Sequence, residues 1–385
     1  MEFSLTPQQQ AQVDAARAYA RDLAADYQNR ERTGLIEKEV FLEMGRRGFI
    51  GAEIAPELGG RGESRLTSGL LLEQIATGDF NIGYLQVVGS LVGQILAGNA
   101  RPEVAQEWVP QITGGTGVVG IGLSEPTGGS DAGNPQMRAE RDGSGDGADW
   151  LITGAKSMSL MEYCTGAVVF ARTGDEGRGR GMTAFVVDLT GPGLTREPYS
   201  DMGTKPVRRG AIHFDRVRVP ARNVLGEVGQ GFTSVMQGFD FSRALIGLQC
   251  VGAAQQTVDE TWAYVSQRQA FDRPISTFQG VSFPLAESET LLAAARMLCY
   301  QTLWLKDAGL PHTAEAAMCK WWAPKTAYDV INSCLLLHGQ YGYRTEKPIE
   351  QRLRDVLGLQ IGDGTAQIMK TIIARARAGR KAVPH

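Results

Sequence analysis

A short carboxylate between two glycines is the group in this sequence best placed to do chemistry. Residues 362–368 read Gly-Asp-Gly-Thr-Ala-Gln-Ile, so Asp363 has a glycine on either side. Glycine lets the backbone approach a ligand closely and lets the intervening side chain point into a cleft. A carboxylate held in that way, partly shielded from water, can accept a proton. Most Gly-Asp-Gly tripeptides are only turns. The rest of the sequence must decide between a base and a turn.

Composition limits the classes of function. The chain has 385 residues and a formal net charge of -3, with acids and bases interspersed, so we expect two or three structural units and no nucleic-acid or membrane surface. The N-terminus lacks a secretory signal, and no apolar stretch is long enough to span a bilayer. Scattered cysteines without a CxxC pair predict reduced thiols in a cytoplasmic protein. Dispersed histidines predict no metal site.

Hydrophobic spacing divides the chain into three predicted domains. Residues 1–113 have helical periodicity, which begins at a capping box around Thr6. Residues 114–229 have short apolar runs between glycine and aspartate clusters, which are typical of an antiparallel sheet or barrel. Residues 230–385 return to long amphipathic patterns, which predict a four-helix bundle. The expected fold class is α+β, mostly α.

Finer features follow from the same spacing. The strand region contains two glycine-rich segments, at 142–147 and 174–181, that we expect to form exposed hairpin tips. Pro324 lies inside the third long helical pattern, which covers residues 313–337. Because proline lacks the backbone N–H and its ring clashes with the preceding turn, we expect this residue to kink or split the helix.

Four separated segments resemble the acyl-CoA dehydrogenase family in order and spacing. They are Leu-Ser-Glu-Pro with Gly-Ser-Asp at 123–131, Phe-Asp-Arg-Val-Arg-Val-Pro at 214–220, Arg-Gln-Ala-Phe with Phe-Gln at 268–279, and Gly-Thr-Ala-Gln-Ile at 364–368. The resemblance covers essentially the whole chain. It implies an N-terminal helical domain, a middle β domain and a C-terminal helical bundle, with FAD between the last two.

The resemblance also implies a reaction, the α,β-dehydrogenation of an acyl-CoA thioester. A base removes the α-proton while the β-hydrogen leaves as hydride to flavin N5. Asp363 stands where the family has its catalytic acid residue. Its backbone N–H and a flavin ribityl hydroxyl are expected to stabilise the thioester oxygen, each donor contributing about 3–4 kcal/mol.

Further site residues carry over position by position. The residues expected to bind FAD are Leu123, Ser124, Gly129, Ser130, Ser159, Arg268, Phe271, Gln279, Gly339, Thr365 and Gln367. Those expected to bind the acyl-CoA are Ser130, Phe239, Asp240, Arg243, Gly362 and Gly364. Arg268 matches the arginine that neutralises the FAD pyrophosphate of a neighbouring subunit. Asp240 and Arg243 match positions that grip the CoA arm, although one helical turn apart they also make an ordinary ion pair.

The sequence departs from the family pattern at several cofactor positions. Met158 and Leu160 replace a tryptophan and a threonine beside the flavin, which leaves Ser159 as a possible donor. Leu336 and Gln340 replace a glutamine and a glycine near the adenosine end. We therefore expect FAD to bind, but its adenosine end to be held differently.

The base itself also departs from the pattern. Most of the family has glutamate where this chain has Asp363, and a bulky tyrosine where it has Gly362. A displacement of about 1 Å can cost about a hundredfold in rate. A shorter base beside an enlarged pocket suits an α-carbon that is branched or part of a ring. The pair resembles the cyclohexanecarboxyl-CoA dehydrogenase branch, as does the Phe-Asp-Phe-Ser-Arg segment at 239–243. The alternative is neutral drift in a generic branched short-chain acyl-CoA dehydrogenase.

Two other functions stay open at this point. A nitroalkane oxidase-like flavoenzyme also uses aspartate as its base, but it needs no CoA grip. A non-catalytic flavoprotein scaffold would use Asp363 only to close a turn. Ser242, where a related branch has its glutamate base, cannot act as a base at neutral pH. The resemblance implies an electron-transfer flavoprotein as electron acceptor and a homotetramer, a dimer of dimers.

Overall fold

The computed structural model describes residues 4–145, 147–174 and 180–383, and for 232–237 the backbone alone. The two glycine-rich segments expected to be hairpin tips therefore fall partly outside the described residues, at 146 and at 175–179. Within the described ranges the chain runs from helices through a sheet to a second set of helices.

The N-terminal part is helical. Its helices are α1 (Pro7–Thr33), α2 (Lys38–Arg46), α3 (Arg65–Gly78), α4 (Phe80–Asn99) and α5 (Pro102–Thr113). The capping box is confirmed, because the Thr6 hydroxyl accepts from the Gln9 N–H and the Gln9 side chain accepts from the Thr6 N–H. Helix α4 is buried on nearly every face, since it lies between the other helices and the sheet.

The middle part is an eight-stranded sheet with the strand order β6-β7-β3-β2-β4-β5-β8, and β1 paired with β4. Its strands are β1 (Val118–Gly122), β2 (Arg138–Arg141), β3 (Trp150–Met158), β4 (Cys164–Arg172), β5 (Met182–Asp188), β6 (Leu194–Pro198), β7 (Gly210–Val219) and β8 (Val224–Leu225). The sheet is mostly antiparallel, as expected, but β1 runs parallel to β4. This pairing places the end of β1, and the loop after it, at the edge that faces the helices.

The C-terminal part packs four long helices and one short one. They are α6 (Gly231–Gln267), α7 (Gln279–Asp307), α8 (Thr313–His338), α9 (Pro348–Gly358) and α10 (Ala366–Ala378), with the two-residue strands β9 (Gln269–Ala270) and β10 (Arg273–Pro274) between α6 and α7. The sequence did not predict α9. Helix α8 continues through Pro324, so the proline does not split the helix, and a kink there stays a prediction.

Three further findings bear on the predicted class of protein. All five cysteines are buried and unpaired. None of the described helices combines the length and the apolar composition needed to cross a lipid bilayer. Within the described residues, no three His, Cys, Asp or Glu side chains are grouped so that they could hold a metal ion.

Candidate active site

A cavity of about 760 Å³ lies where the middle sheet meets α4, α6 and the start of α10. One wall comes from the end of β1, the loop after it and the end of β3, and the opposite wall comes from the helices. Both walls carry residues that the sequence predicted for the site. Those that line the cavity are Leu123, Ser124, Gly129, Ser130, Ser159, Phe239, Arg243, Gly362, Asp363, Gly364 and Thr365.

A second cavity, of about 850 Å³, lies beside α1, β7 and α9. None of the predicted site residues lines it. Its charged side chains neutralise one another, since Glu31 pairs with Lys205 at 3.0 Å and with Arg354 at 2.8 Å. The cavity that contains Asp363 is therefore the candidate active site.

The turn between α9 and α10 presents Asp363 to the cavity. Asp363 has φ +56°, a left-handed conformation that residues other than glycine rarely adopt. Gly364 follows with φ +99°, and a Cβ there would come within 2.5 Å of the Met369 Cε. Thr365 ends the turn as the N-cap of α10, where its hydroxyl accepts from the Ile368 N–H. The sequence thus needs glycine at 364 to aim Asp363 inward.

The other glycine of the turn leaves space. A Cβ built on Gly362 would meet only the Gly358 carbonyl oxygen, at 3.6 Å. Gly362 is exposed at the cavity wall, next to Asp363 in the chain. The position therefore has room for a side chain, and glycine leaves that room unoccupied.

Asp363 has the electrostatic character of a proton acceptor. Asp363 is exposed to the open cavity, and the protein atoms around its carboxyl group displace part of the surrounding water. This loss of water raises the pKa of the carboxyl, and the positive charges of Lys320 and Arg243 partly offset that rise. No hydrogen bond within the described residues uses either the Asp363 carboxylate or its N–H. Both groups are free to act on a ligand.

Lys320 is a functional candidate that the sequence reasoning missed. It lies on α8, fully buried beneath the Asp363 turn, and its Nζ donates to the Leu359 carbonyl at 2.6 Å and to the Gly364 carbonyl at 3.2 Å. Burial lowers the pKa of its ammonium group to about 8, against the opposing effect of Asp363. The available signal was that Lys320 is the one charge between Ala316 and Pro324.

Arg243 and Asp240 differ in their position relative to the cavity. Arg243 lines the cavity, and its buried Nε has no hydrogen-bond partner within the described residues. Asp240 does not line it. Its Oδ1 accepts from Arg243 at 2.7 Å, and its Oδ2 accepts from the Thr313 hydroxyl at 2.5 Å. A direct contact between Asp240 and CoA is therefore not supported, because both carboxylate oxygens are used inside the protein.

The loop after β1 is held by a second buried lysine. The Glu125 carboxylate accepts from the Gln136 and Met137 N–H groups at 2.7 and 3.0 Å, and from Lys156 Nζ at 2.9 Å. Lys156 also donates to the Leu123 carbonyl at 3.2 Å. These contacts hold the pKa of Glu125 below its ordinary value against the effect of burial. Glu125 thus fixes the loop.

The substitutions near the end of β3 have separate outcomes. Met158 and Ser159 line the cavity, so the serine hydroxyl is available as a donor there. Leu160 has φ +58° and is buried elsewhere, with its N–H bonded to the Val207 carbonyl at 2.9 Å. Leu160 therefore packs into the core instead of replacing the family's threonine.

Five of the predicted FAD residues lie outside this cavity. They are Arg268, Phe271, Gln279, Gly339 and Gln367, and all five are exposed. Phe271 is 88% exposed in the two-residue turn between β9 and β10, where both Phe271 and Asp272 have positive φ. Gly339 ends α8 with φ 58° and ψ -136°, a region open essentially only to glycine. None of these five residues lines the cavity together with Asp363.

At the end of the cavity formed by α4 and α6, the lining is apolar except for the Tyr84 hydroxyl and the Gln249 amide. Val87, Val88, Leu91 and Ile246 line it together with the Tyr84 side chain. Gln249 also lines it, and its amide donates to the Phe80 carbonyl at 2.7 Å while its Oε1 has no partner within the described residues. Sequence reasoning did not single out Gln249, because one glutamine in a helix carries no motif.

Comparisons with known proteins agree across the whole chain. Three family models match in order: the N-terminal domain of acyl-CoA dehydrogenase at residues 6–116, the middle domain at 120–217 and the C-terminal domain at 229–377.

Individual relatives share about a third of their residues with the chain. It is 33% identical to a probable acyl-CoA dehydrogenase of Bacillus subtilis, over 97% of this chain and 99% of that protein. It is 33% identical to an acryloyl-CoA reductase (NADH) of Anaerotignum propionicum, over 97% and 95%. It is 31% identical to a subunit of the caffeyl-CoA reductase-Etf complex of Acetobacterium woodii, over 92% and 96%.

Among solved structures, the butyryl-CoA dehydrogenase of Megasphaera elsdenii superposes with a TM-score of 0.94 at 29% identity, covering 98% of this chain and 100% of that chain.

Proposed function

The chain belongs to the acyl-CoA dehydrogenase family, whose members are FAD-dependent oxidoreductases, and from that premise we propose that it dehydrogenates an alicyclic or α-branched acyl-CoA. Cyclohexane-1-carboxyl-CoA is the substrate that we put forward, with cyclohex-1-ene-1-carboxyl-CoA as the product.

The observation that carries the proposal is the open space at Gly362 beside a short base. A ring carbon bears two carbon substituents at the α position, so it needs more width next to the base than a linear chain does. Asp363 is one methylene shorter than glutamate, so the α-carbon must lie closer to the turn. The absence of a side chain at Gly362 permits that approach.

The chain's own residues divide the work of the proposed reaction. Asp363 takes the α-proton, and its raised pKa matches it better to a weak carbon acid than an ordinary aspartate. The Asp363 N–H donates to the thioester oxygen as negative charge develops there. Arg243 brings a positive charge to the cavity wall, towards the polar part of the substrate.

The cavity also fits the flavin part of FAD. Leu123, Ser124, Gly129, Ser130 and Ser159 line the sheet side of the cavity and Thr365 lines the helical side, and the lack of side chains at Gly128 and Gly129 leaves room for a bulky ligand over the loop. These residues would hold the isoalloxazine ring, which when bound accepts the β-hydrogen as hydride.

The adenosine end of FAD needs a second copy of the chain in this proposal. Arg268, Phe271, Gln279 and Gly339 are exposed and lie outside the cavity, which is the placement expected if they serve the FAD of a neighbouring subunit. A homotetramer built from two such dimers stays a prediction, as does the cytoplasmic location.

We propose an electron-transfer flavoprotein as the redox partner. The caffeyl-CoA reductase relative is named as part of a complex with such a protein. Two relatives are named as reductases of unsaturated thioesters, so the direction of the reaction in this protein depends on the potential of its partner.

Anaerobic flavin titration tests the proposal. The purified holoenzyme is mixed with cyclohexane-1-carboxyl-CoA, isobutyryl-CoA, butyryl-CoA and nitroethane, and flavin absorbance is followed. We expect fastest bleaching with the ring thioester. Fastest bleaching with butyryl-CoA would contradict the ring substrate and leave the reaction class intact. Bleaching by nitroethane alone would favour the nitroalkane oxidase-like alternative, and no bleaching with any thioester would remove the dehydrogenase assignment for this site.

A further inference from the structure

We propose that Lys320 is a positioning residue, which ties down the turn that carries Asp363 and supplies the positive charge that keeps the Asp363 carboxylate ionised. The proposal deepens the proposed function and rests on the role of Asp363 as base. Lys320 itself lies beneath the turn and does not line the cavity.

The geometry shows how Lys320 fixes the turn. Its Nζ donates to the carbonyl of Leu359, just after α9, and to the carbonyl of Gly364, just before α10. The two acceptors flank residues 360–363, a segment of four residues that ends at the base. One ammonium group therefore closes the turn from below, and its loss would free both ends.

The surroundings show why a lysine is used. A buried ammonium group needs hydrogen-bond acceptors and a countercharge. The two carbonyls supply the acceptors, but Lys320 has no hydrogen bond to a carboxylate within the described residues, and Asp363 is the carboxylate that acts on it through space. Arg243, the other cation near Asp363, already pairs with Asp240. Lys320 is thus the cation whose charge is left for Asp363.

The direction of the effect follows. Burial raises the pKa of Asp363, and Lys320 is the larger of the two charges that lower it. Removing that charge must raise the pKa further, so that the carboxylate is protonated, and inactive as a base, at a higher pH.

Other ionisable groups lie around the Lys320–Asp363 pair. They are Arg243, Asp240 and Cys250 on α6, Tyr84 on α4, Arg375 on α10 and Arg209 just before β7. Burial raises the pKa of the Cys250 thiol and that of the Tyr84 hydroxyl, so both groups are neutral at pH 7. The arginines stay charged across the range of the test.

The test compares Lys320→Met with Lys156→Met in the FAD-loaded enzyme. Methionine keeps the length of the stem and removes the charge and the donors. We expect the acid limb of kcat/KM for the best thioester to move up by about one pH unit in Lys320→Met. Lys156→Met removes an equally buried lysine that binds the other cavity wall, so it should loosen FAD and leave the acid limb unmoved. An unchanged acid limb in a folded, FAD-loaded Lys320→Met would overturn the proposal.

Two further measurements keep the test decisive. Lys320→Arg retains the charge with a different shape, so we expect a lower kcat and an unmoved acid limb. The Lys320→Arg variant can also be measured if Lys320→Met does not fold. A double-mutant cycle of Lys320→Arg or Lys320→Met with Asp363→Asn, measured by urea unfolding, needs no substrate.

The double-mutant unfolding cycle distinguishes a failure of the proposed function from a failure of the proposed role of Lys320. If no thioester reacts with the wild-type enzyme, the proposed function fails, but coupling between 320 and 363 still supports the link between the two residues. Strictly additive unfolding effects at pH 7 would mean that Lys320 serves the fold alone.

Discussion

Two buried lysines hold the two walls of the cavity, and their carboxylate partners differ. Lys156 meets Glu125 at 2.9 Å, and two backbone N–H groups complete the shell of that carboxylate. Lys320 meets two carbonyls, and the carboxylate of Asp363 above it makes no hydrogen bond to the part of the chain that the structure describes. The pKa of Glu125 is lowered, whereas that of Asp363 is raised. A carboxylate whose oxygens accept hydrogen bonds from the protein holds the local structure in place. A carboxylate that accepts none from the described residues keeps its affinity for a proton.

The largest expected effect comes from replacing the unpartnered carboxylate. Asp363→Asn keeps the size of the side chain but removes the base, so we expect a loss of about 10²–10⁴-fold in flavin reduction by the best thioester. FAD content should stay that of the wild type. Glu125→Gln serves as the comparison and should retain most of the chemical rate once loaded with FAD. Equal activity of Asp363→Asn and wild type would assign Asp363 to a scaffold.

The space beside the base is tested by filling it. Gly362→Tyr places a ring in the cavity, so we expect kcat/KM for cyclohexane-1-carboxyl-CoA to fall about a hundredfold relative to that for butyryl-CoA. Gly358→Ala is the matched control, since its added methyl group meets nothing within 4 Å. A uniform loss with every acyl group would show that Gly362 does not select the substrate.

The partnered carboxylate should matter more for stability. Glu125→Gln leaves Lys156 without its countercharge, so we expect the free energy of unfolding at pH 7 to fall by about 2 kcal/mol. Urea unfolding followed by circular dichroism measures it. Glu140→Gln, which replaces an exposed acid on β2, provides the control for charge alone. No loss of stability in Glu125→Gln would remove the distinction between the two walls.

The smallest expected effect is that the contributions of Asp363 and Glu125 to the free energy of unfolding change with pH in opposite directions. Asp363 has a raised pKa, so ionising it costs stability as pH rises from its ordinary value of 3.8 through the folded pKa. Glu125 has a lowered pKa, so its stabilisation is present above 4.5 and is lost as pH falls through the folded value. Asp363→Asn should therefore be more stable than wild type at pH 7 and Glu125→Gln less stable, with both differences shrinking toward pH 4. Changes of the same sign in both variants would contradict the comparison.

Much of the fold was predictable from spacing. The capping box at Thr6, the helix–sheet–helix order and the family were confirmed, because each depends on residues close in sequence. The domain boundaries at 113/114 and 229/230 stay predictions. The short helix α9 and the parallel pairing of β1 with β4 were missed. Helix α9 has few residues in its pattern, and strand pairing depends on segments distant along the chain.

The candidate site was predictable in part. The motifs predicted that Asp363, Ser124 and Thr365 belong to the site, and all three line one cavity. Short glycine-containing turns fix the local direction of their side chains. The same reasoning could not separate Arg243, which faces the cavity, from Asp240, which faces Thr313. One helical turn of spacing allows either orientation until the neighbouring helix is in place.

The sequence by itself determined the family, the flavin chemistry that the family implies and the identity of the short base between glycines, because these are written in contiguous residues. Only the tertiary structure decided that Lys320 lies beneath Asp363, that Glu125 is fully partnered and that the residues predicted for the adenosine end face away from the cavity. Burial and charge pairing depend on distances between segments far apart in the chain, and packing alone fixes those distances.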